Sequence, residues 1–355
     1  MRNINKIIVT LLVSFGLTTS AFAGTLDVTG TAKATYNTVS GQSAGTNTLG
    51  ITNELAFGAS GELDNGWTWK YSNELDPQNT ADGGAALNDD TSLSLTTGYG
   101  TVAVCISECG LSAALNFSQD AYALISDTGF AEGKQEPANI SSYNNVQFHT
   151  PADLLPFGLV VKAAFSPSGS TLNNSGNASN TAASTTAGGS EMIRIDAAPI
   201  DGLALHASYM ETDSPIVAVA DEQSANSGAI AAKYAFGNFS IGAGASYQVP
   251  RIADGGVVIA SAKQYENRNL SLGYAYNDAL TFSFTREESK KIVAAGTITT
   301  ADGTTFPGEL GIDSIQAAYT MGGMTLALAR TKYDNAAYLQ GSDATETLLA
   351  VTMAF

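Results

Sequence analysis

Apolar and polar positions trade places along most of this 355-residue chain. Leu26, Val28, Ala32, Ala34 and Tyr36 oppose Asp27, Thr29, Thr31, Lys33 and Thr35. Trp67, Trp69 and Tyr71 oppose Thr68, Lys70 and Ser72, and Leu159, Val161, Ala163 and Phe165 oppose Val160, Lys162 and Ala164. Leu203, Leu205, Ala207 and Tyr209 oppose Ala204, His206 and Ser208. The final ten residues set Thr347, Leu349, Val351, Met353 and Phe355 against Glu346, Leu348, Ala350, Thr352 and Ala354. A period of two means β-strands whose faces meet different surroundings. Helical periodicity is weak throughout.

Tight and long connections alternate between these segments. The tight ones are Asp64-Asn65-Gly66, Tyr99-Gly100, Pro151 to Pro156, Pro199 to Gly202, Gly237-Asn238, Asn277-Asp278 and Gly322-Gly323. They carry the Gly, Pro, Asn and Asp that hairpins require. Seven hairpins plus a first and a last strand predict sixteen strands: 25–37, 47–61, 67–76, 91–99, 101–108, 141–150, 157–166, 191–199, 202–211, 228–236, 239–249, 264–276, 279–288, 312–321, 324–334 and 346–355. An even number with both ends on the tight-turn side is the topology of a closed antiparallel barrel crossing a membrane. The expected fold class is therefore all-β. Arg330 and Lys332 share a face with Leu326 and Leu328, and Arg286 shares one with Phe282 and Phe284, which places them at an outer rim or after a bulge. The segment 166–190, almost all Ser, Thr, Asn, Ala and Gly, reads as a surface loop.

Composition narrows the picture. Charged residues make up 14% of the chain, well below the ~25% of soluble domains, so a hollow, alternating cylinder suits it better than a solid core. Arg2 and Lys6 precede an apolar run from Ile7 to Leu17, followed by Ala21-Phe22-Ala23. This reads as a signal peptide over 1–23, removed on export, with one domain over 24–355. Its loss takes two basic residues away and deepens a formal charge of −17, which argues against nucleic acid as a partner. No later stretch is apolar for the ~18 residues of a spanning helix, so insertion falls to strands. Cys105 and Cys109 suit an exported protein. On a straight strand they stand about 13 Å apart, too far to bond, whereas a turn through 106–108 permits a disulfide.

Several of these segments resemble the general porins of Gram-negative outer membranes, particularly the sixteen-stranded alphaproteobacterial kind. The resemblance is carried by Ala21-Phe22-Ala23, by Leu95-Thr96-Thr97-Gly98-Tyr99-Gly100-Thr101-Val102, by Ser141-Ser142-Tyr143-Asn144-Asn145-Val146 and by the ending at Phe355. It spans nearly the whole exported chain. It implies a homotrimer in the outer membrane, in contact with its lipid and lipopolysaccharide. It also implies a third long loop folded into the lumen, and Phe355 as the signal read by the barrel-assembly machinery.

In that place stands the segment 109–140, the candidate constriction loop. Asp120, Asp127, Glu132 and Glu136 outnumber its single Lys134, and Leu111, Leu115, Phe117, Tyr122, Leu124 and Phe130 are expected to hold it to the wall. Strand parity turns Lys33, Lys70, Lys162, Arg194 and Lys233 inward, with Glu54, Glu74 and Asp196 among them. An acidic loop facing basic wall residues would set up a transverse field that orients dipolar solutes. The expected function is passive diffusion of ions and small hydrophilic solutes with a weak preference for cations. A solute-selective channel is the alternative, and a barrel serving as adhesin or structural anchor a more distant one. No enzyme is expected: His149 and His206 are the only imidazoles, and no spacing ties either to a nucleophile. No cofactor or resident metal is expected either. Ca²⁺ at acidic outer loops such as Asp89-Asp90 and Asp221-Glu222 is the one ion considered. Gly242-Ala243-Gly244-Ala245 reads as close packing within a strand, at a subunit contact.

Overall fold

The computed structural model describes residues 24–41, 47–76, 87–106, 111–114, 117–122, 134–142, 144–167, 189–212, 225–249, 262–293 and 308–355. The expected leader, 1–23, lies outside them.

Sixteen strands form one closed barrel. In chain order they are β1 Thr25–Gly41, β2 Asn47–Glu62, β3 Thr68–Asp76, β4 Leu87–Thr97, β5 Gly100–Ile106, β6 Asn145–His149, β7 Val160–Ser166 and β8 Ser190–Ala197. The second half comprises β9 Leu203–Thr212, β10 Ala225–Phe236, β11 Phe239–Val249, β12 Ala262–Ala275, β13 Leu280–Val293, β14 Glu309–Met321, β15 Met324–Asp334 and β16 Ala344–Ala354. Each strand is antiparallel to its neighbour in sequence, and β1 closes the ring on β16 with Thr31 opposite Ala354 and Gly41 opposite Ala344. Closure leaves no edge strand, so each strand is bonded to a neighbour on both sides, as hydrocarbon demands. At the seam Gly30 N–H donates to Phe355 O at 2.8 Å and Phe355 N–H donates to Gly30 O at 3.0 Å. The Phe355 ring lies over Gly30, where any Cβ would strike it.

Tight turns are set by local side chains. Asn65 Oδ1 accepts Trp67 N–H at 3.1 Å, and Asn277 Oδ1 accepts the N–H groups of Ala279 and Leu280 at 2.9 and 2.8 Å. Aromatics gather at that end of the barrel: Tyr234, Phe236, Phe239 and Tyr274 form a continuous outward row with ring centroids 4.8 to 5.9 Å apart. That is the girdle expected where the wall meets an interface.

The wall is uneven in height. β12 and β13 hold 14 residues each and β6 only 5, about 46 Å against about 17 Å along the strand. Two expectations are corrected here. The predicted strand 141–150 begins only at Asn145, because Ile140–Ser142 is a short 3-10 turn. The predicted strand 279–288 runs on to Val293, its charges keeping the alternation. The register of β13–β15 shows no bulge, so Arg286, Arg330 and Lys332 extend the outward face beyond Leu270, Phe282, Phe284 and Leu328. Arg286 there meets Glu288 at 3.0 Å and Asp313 at 3.4 Å, Lys290 meets Glu309 at 2.7 Å, and Lys332 meets Asp334 at 2.7 Å. Exposed pairs of this kind add little stability. They mark where hydrocarbon ends.

The core is not central. Large buried side chains sit where connections press on the inner wall: Leu111 and Ile140 with Met192 and Met210, Ala121 and Tyr122 against Ala318, Ala329 and Leu348, and Tyr338 with Leu310, Ile312 and Tyr333.

Candidate functional site: a loop laid on the inner wall

Directly opposed residues of antiparallel strands share a face, so the register sorts lumen from lipid. Arg194 opposes Lys162 and Ser208; Lys162 opposes His149; Lys233 opposes Ala204 and Gly242. All of these face inward, as do Lys33 and Lys70 by the parity of β1 and β3.

The third long connection follows the wall from β8 to β14. The Arg194 guanidinium donates to the carbonyls of Ser112 and Ala113 at 3.2 and 3.5 Å. The loop backbone then steps from strand to strand on neutral acceptors: Ala114 N–H to Ser208 Oγ at 2.9 Å, Gln119 N–H to Ser271 Oγ at 2.8 Å, Ala121 N–H to Ser283 Oγ at 2.8 Å and Tyr122 N–H to Gln316 Oε1 at 2.9 Å. Between these steps Phe117 comes down on β11. A Cβ at Gly242 would collide with the Phe117 carbonyl, and one at Gly244 would press on its ring. The glycines read as close strand packing at a subunit contact thus serve the lumen instead, as a seat for the loop. Of the apolar residues expected to hold the loop, Leu111, Phe117 and Tyr122 do so, while 115, 124 and 130 lie outside the described residues.

On β7–β9 the basic residues converge on one carboxylate. Asp196 receives Lys162 at 2.7 Å, Arg194 at 2.8 Å and the His206 Nδ1 at 2.6 Å. Arg194 is buried beneath the loop, a fastening rather than an open wall charge. Lys33, Lys70 and Lys233 make no ion pair among the described residues. The first two stand on β1 and β3, eight places round the ring of sixteen from β9 and β11, and so across the lumen from the loop's first limb.

The two loop acids among the described residues, Asp120 and Glu136, meet other partners than these cations. Asp120 is bound by Ser118 and by Thr285 Oγ1 at 2.5 Å, on the hydroxyl-lined wall of β13. Glu136 pairs at 2.5 Å with the loop's own Lys134, which also binds Glu287 of β13. Burial alone would lower the Lys134 pKa, but the two carboxylates outweigh it and hold it above the ordinary lysine range. At this point the wall supplies the anion and the loop the cation. Asp127, Glu132, Cys109, Asp221 and Glu222 lie outside the described residues. Cys105 is buried in β5 with the Gln147 amide at 3.6 Å. Sequence reading missed Glu287 and Tyr338. The alternation of Ser283, Thr285, Glu287 and Ser289 signalled the inward face of β13, but nothing local signalled its partners.

A closed sixteen-stranded antiparallel barrel with an apolar outer belt and a loop narrowing its lumen defines a transmembrane channel of the outer-membrane type. The sequence model of Gram-negative porins matches residues 9–355, and the chain belongs to that family. It is an outer-membrane β-barrel, and the family is one of channels rather than enzymes. No curated protein matches the chain in sequence. Among solved structures it is similar to an anion-selective porin from Comamonas acidovorans, at 13% identity over 94% of this chain and 100% of that one, TM-score 0.64. It is also similar to the outer membrane channel DcaP of Acinetobacter baumannii, at 12% identity over 95% and 100%, TM-score 0.65. A third similar structure is the trimer form of OmpT of Vibrio cholerae, at 12% identity over 94% and 100%, TM-score 0.63. These likenesses establish the shared fold.

Proposed function

We propose that the barrel carries ions and small hydrophilic solutes across the outer membrane by passive diffusion, with a weak preference for cations, and that it works as a homotrimer. The observation that carries the diffusion reading is the loop itself, fastened along the inner wall and so narrowing the lumen. The cation preference is supported by the way wall cations are spent. Lys162 and Arg194 share Asp196, and Lys134 is matched by two carboxylates in a chain of formal charge −17. Lys33, Lys70 and Lys233 oppose that balance, which keeps the preference small. Export by the leader over 1–23, insertion by the barrel-assembly machinery through Phe355, and contact with outer-membrane lipid and lipopolysaccharide belong to the same reading. The low wall at β5–β7, too short by itself to cross a hydrocarbon band of about 25 Å, supports a neighbouring copy there.

Planar-bilayer recording under a salt gradient tests it. Expected are a small reversal potential of cation sign and closure in three equal steps. Anion preference would overturn the charge argument, and single-step closure the trimer. Asp196→Asn, which releases wall cations, should move the reversal potential toward anions.

A further inference from the structure

The connection between β15 and β16 folds inward as well. Residues 335–343 are closed on themselves by Ala336 N–H to Ser342 O at 2.7 Å, Asn335 N–H to Asp343 Oδ1 at 3.0 Å and Gly341 N–H to Asn335 Oδ1 at 2.9 Å. Asn335, Ala337 and Tyr338 adopt φ of 58, 55 and 62°. Side chains with a Cβ avoid that left-handed region unless the surroundings impose it. What the turn gains is the placement of Tyr338. Its ring is buried against Tyr265, centroids 5.5 Å apart, and its hydroxyl reaches the lumen loop.

The proton count there is closed. Gln135 N–H donates to the Tyr338 hydroxyl at 3.2 Å. Ser289 Oγ gives its one proton to Asn267 Oδ1 at 2.5 Å, so the phenol must donate to Ser289 at 2.8 Å. Asn267 Nδ2 returns a hydrogen bond to Gln135 O at 2.9 Å. One residue of the returning loop limb, Gln135, is therefore gripped at both its N–H and its C=O, by two wall strands and a second connection. The gripped residue is next to Lys134, the ion-pair partner of Glu287.

We infer that the β15–β16 connection is a latch on the constriction loop, with Tyr338 the positioning residue that holds the returning limb against the wall and so sets the width and steadiness of the passage. The inference rests on the barrel being a diffusion channel. Tyr338→Phe keeps the ring packing and removes the hydroxyl; Ser289→Ala breaks the same ring from the wall side. Single-channel recording should show each variant spending about tenfold more time in sublevels or brief closures than the parent, the scale expected for one lost buried hydrogen bond. The temperature at which the barrel unfolds in detergent should stay unchanged. If Tyr338→Phe does not fold, Ser289→Ala alone carries the test. Traces indistinguishable from the parent would overturn the latch, as would extra closures that appear only with a lowered unfolding temperature. A parent protein that conducts nothing would overturn the channel itself.

Discussion

The inner face of β7–β9 and that of β11–β14 hold the same loop by different chemistry. On β7–β9 the grip is mostly charge-assisted: Lys162, Arg194 and His206 gather around Asp196 and the guanidinium reaches two loop carbonyls, with Ser208 adding one neutral acceptor. Along β11–β14 it is mostly neutral, with Ser271, Ser283 and Gln316 each accepting one backbone N–H and two glycines leaving room for Phe117. Each neutral bond contributes little in net terms yet is costly to leave unmade. A row of them fixes loop register residue by residue. The ionic end fixes position without demanding register. Glu287 is the exception on the neutral side, and there the loop itself brings the counter-charge.

Breaking that exception should have the largest effect. Glu287→Ala leaves the buried Lys134 with Glu136 as its one described carboxylate partner and should cost about 3 kcal/mol in the anchoring of the returning limb, the low end for a broken buried pair, whereas replacing both Lys134 and Glu287 by apolar residues should be near neutral. Limited proteolysis around residue 134 reads both: rapid cleavage in the single variant, protection in Lys134→Met with Glu287→Leu. Next is Gly242→Val, whose side chain must displace Phe117. Overpacking of this kind costs about 1–3 kcal/mol, and unit conductance should change while the same substitution at Gly58, which has open space, leaves it unaltered. Ser271→Ala should cost about 1 kcal/mol by orphaning Gln119 N–H, seen as faster hydrogen exchange at that amide alone. The smallest effect expected is that of pH on the Lys134 anchor. Its folded pKa is raised, so its contribution is complete below the unfolded value of about 10.4 and lost only as pH rises through the higher folded one. Channel noise should accordingly stay flat from pH 7 to 10. A step in that interval would mean the ammonium is not held by its two carboxylates.

The alternation around Trp67, Leu159, Leu203 and Phe355 was enough to read the strands, and the spacing of tight turns enough to count them. Boundaries failed where tertiary contact intervened: the loop's return as a 3-10 turn at Ile140–Ser142 shortened β6, and continued backbone pairing with the long neighbours β12 and β14 carried β13 to Val293. Inward parity singled out Lys33, Lys70, Lys162, Arg194 and Lys233 as wall cations. It did not say that Asp196 would take up two of them.

Which residues face water and which face hydrocarbon was determined by the order of side chains alone, because a strand turns its side chains by a local rule that needs no distant partner. Where the loop rests was decided only by the folded barrel. The bonds that hold it join residues far apart in sequence, Ala114 to Ser208, Tyr122 to Gln316, Gln135 to Tyr338. Those atoms come within reach of one another only once sixteen strands have closed into a ring of fixed register.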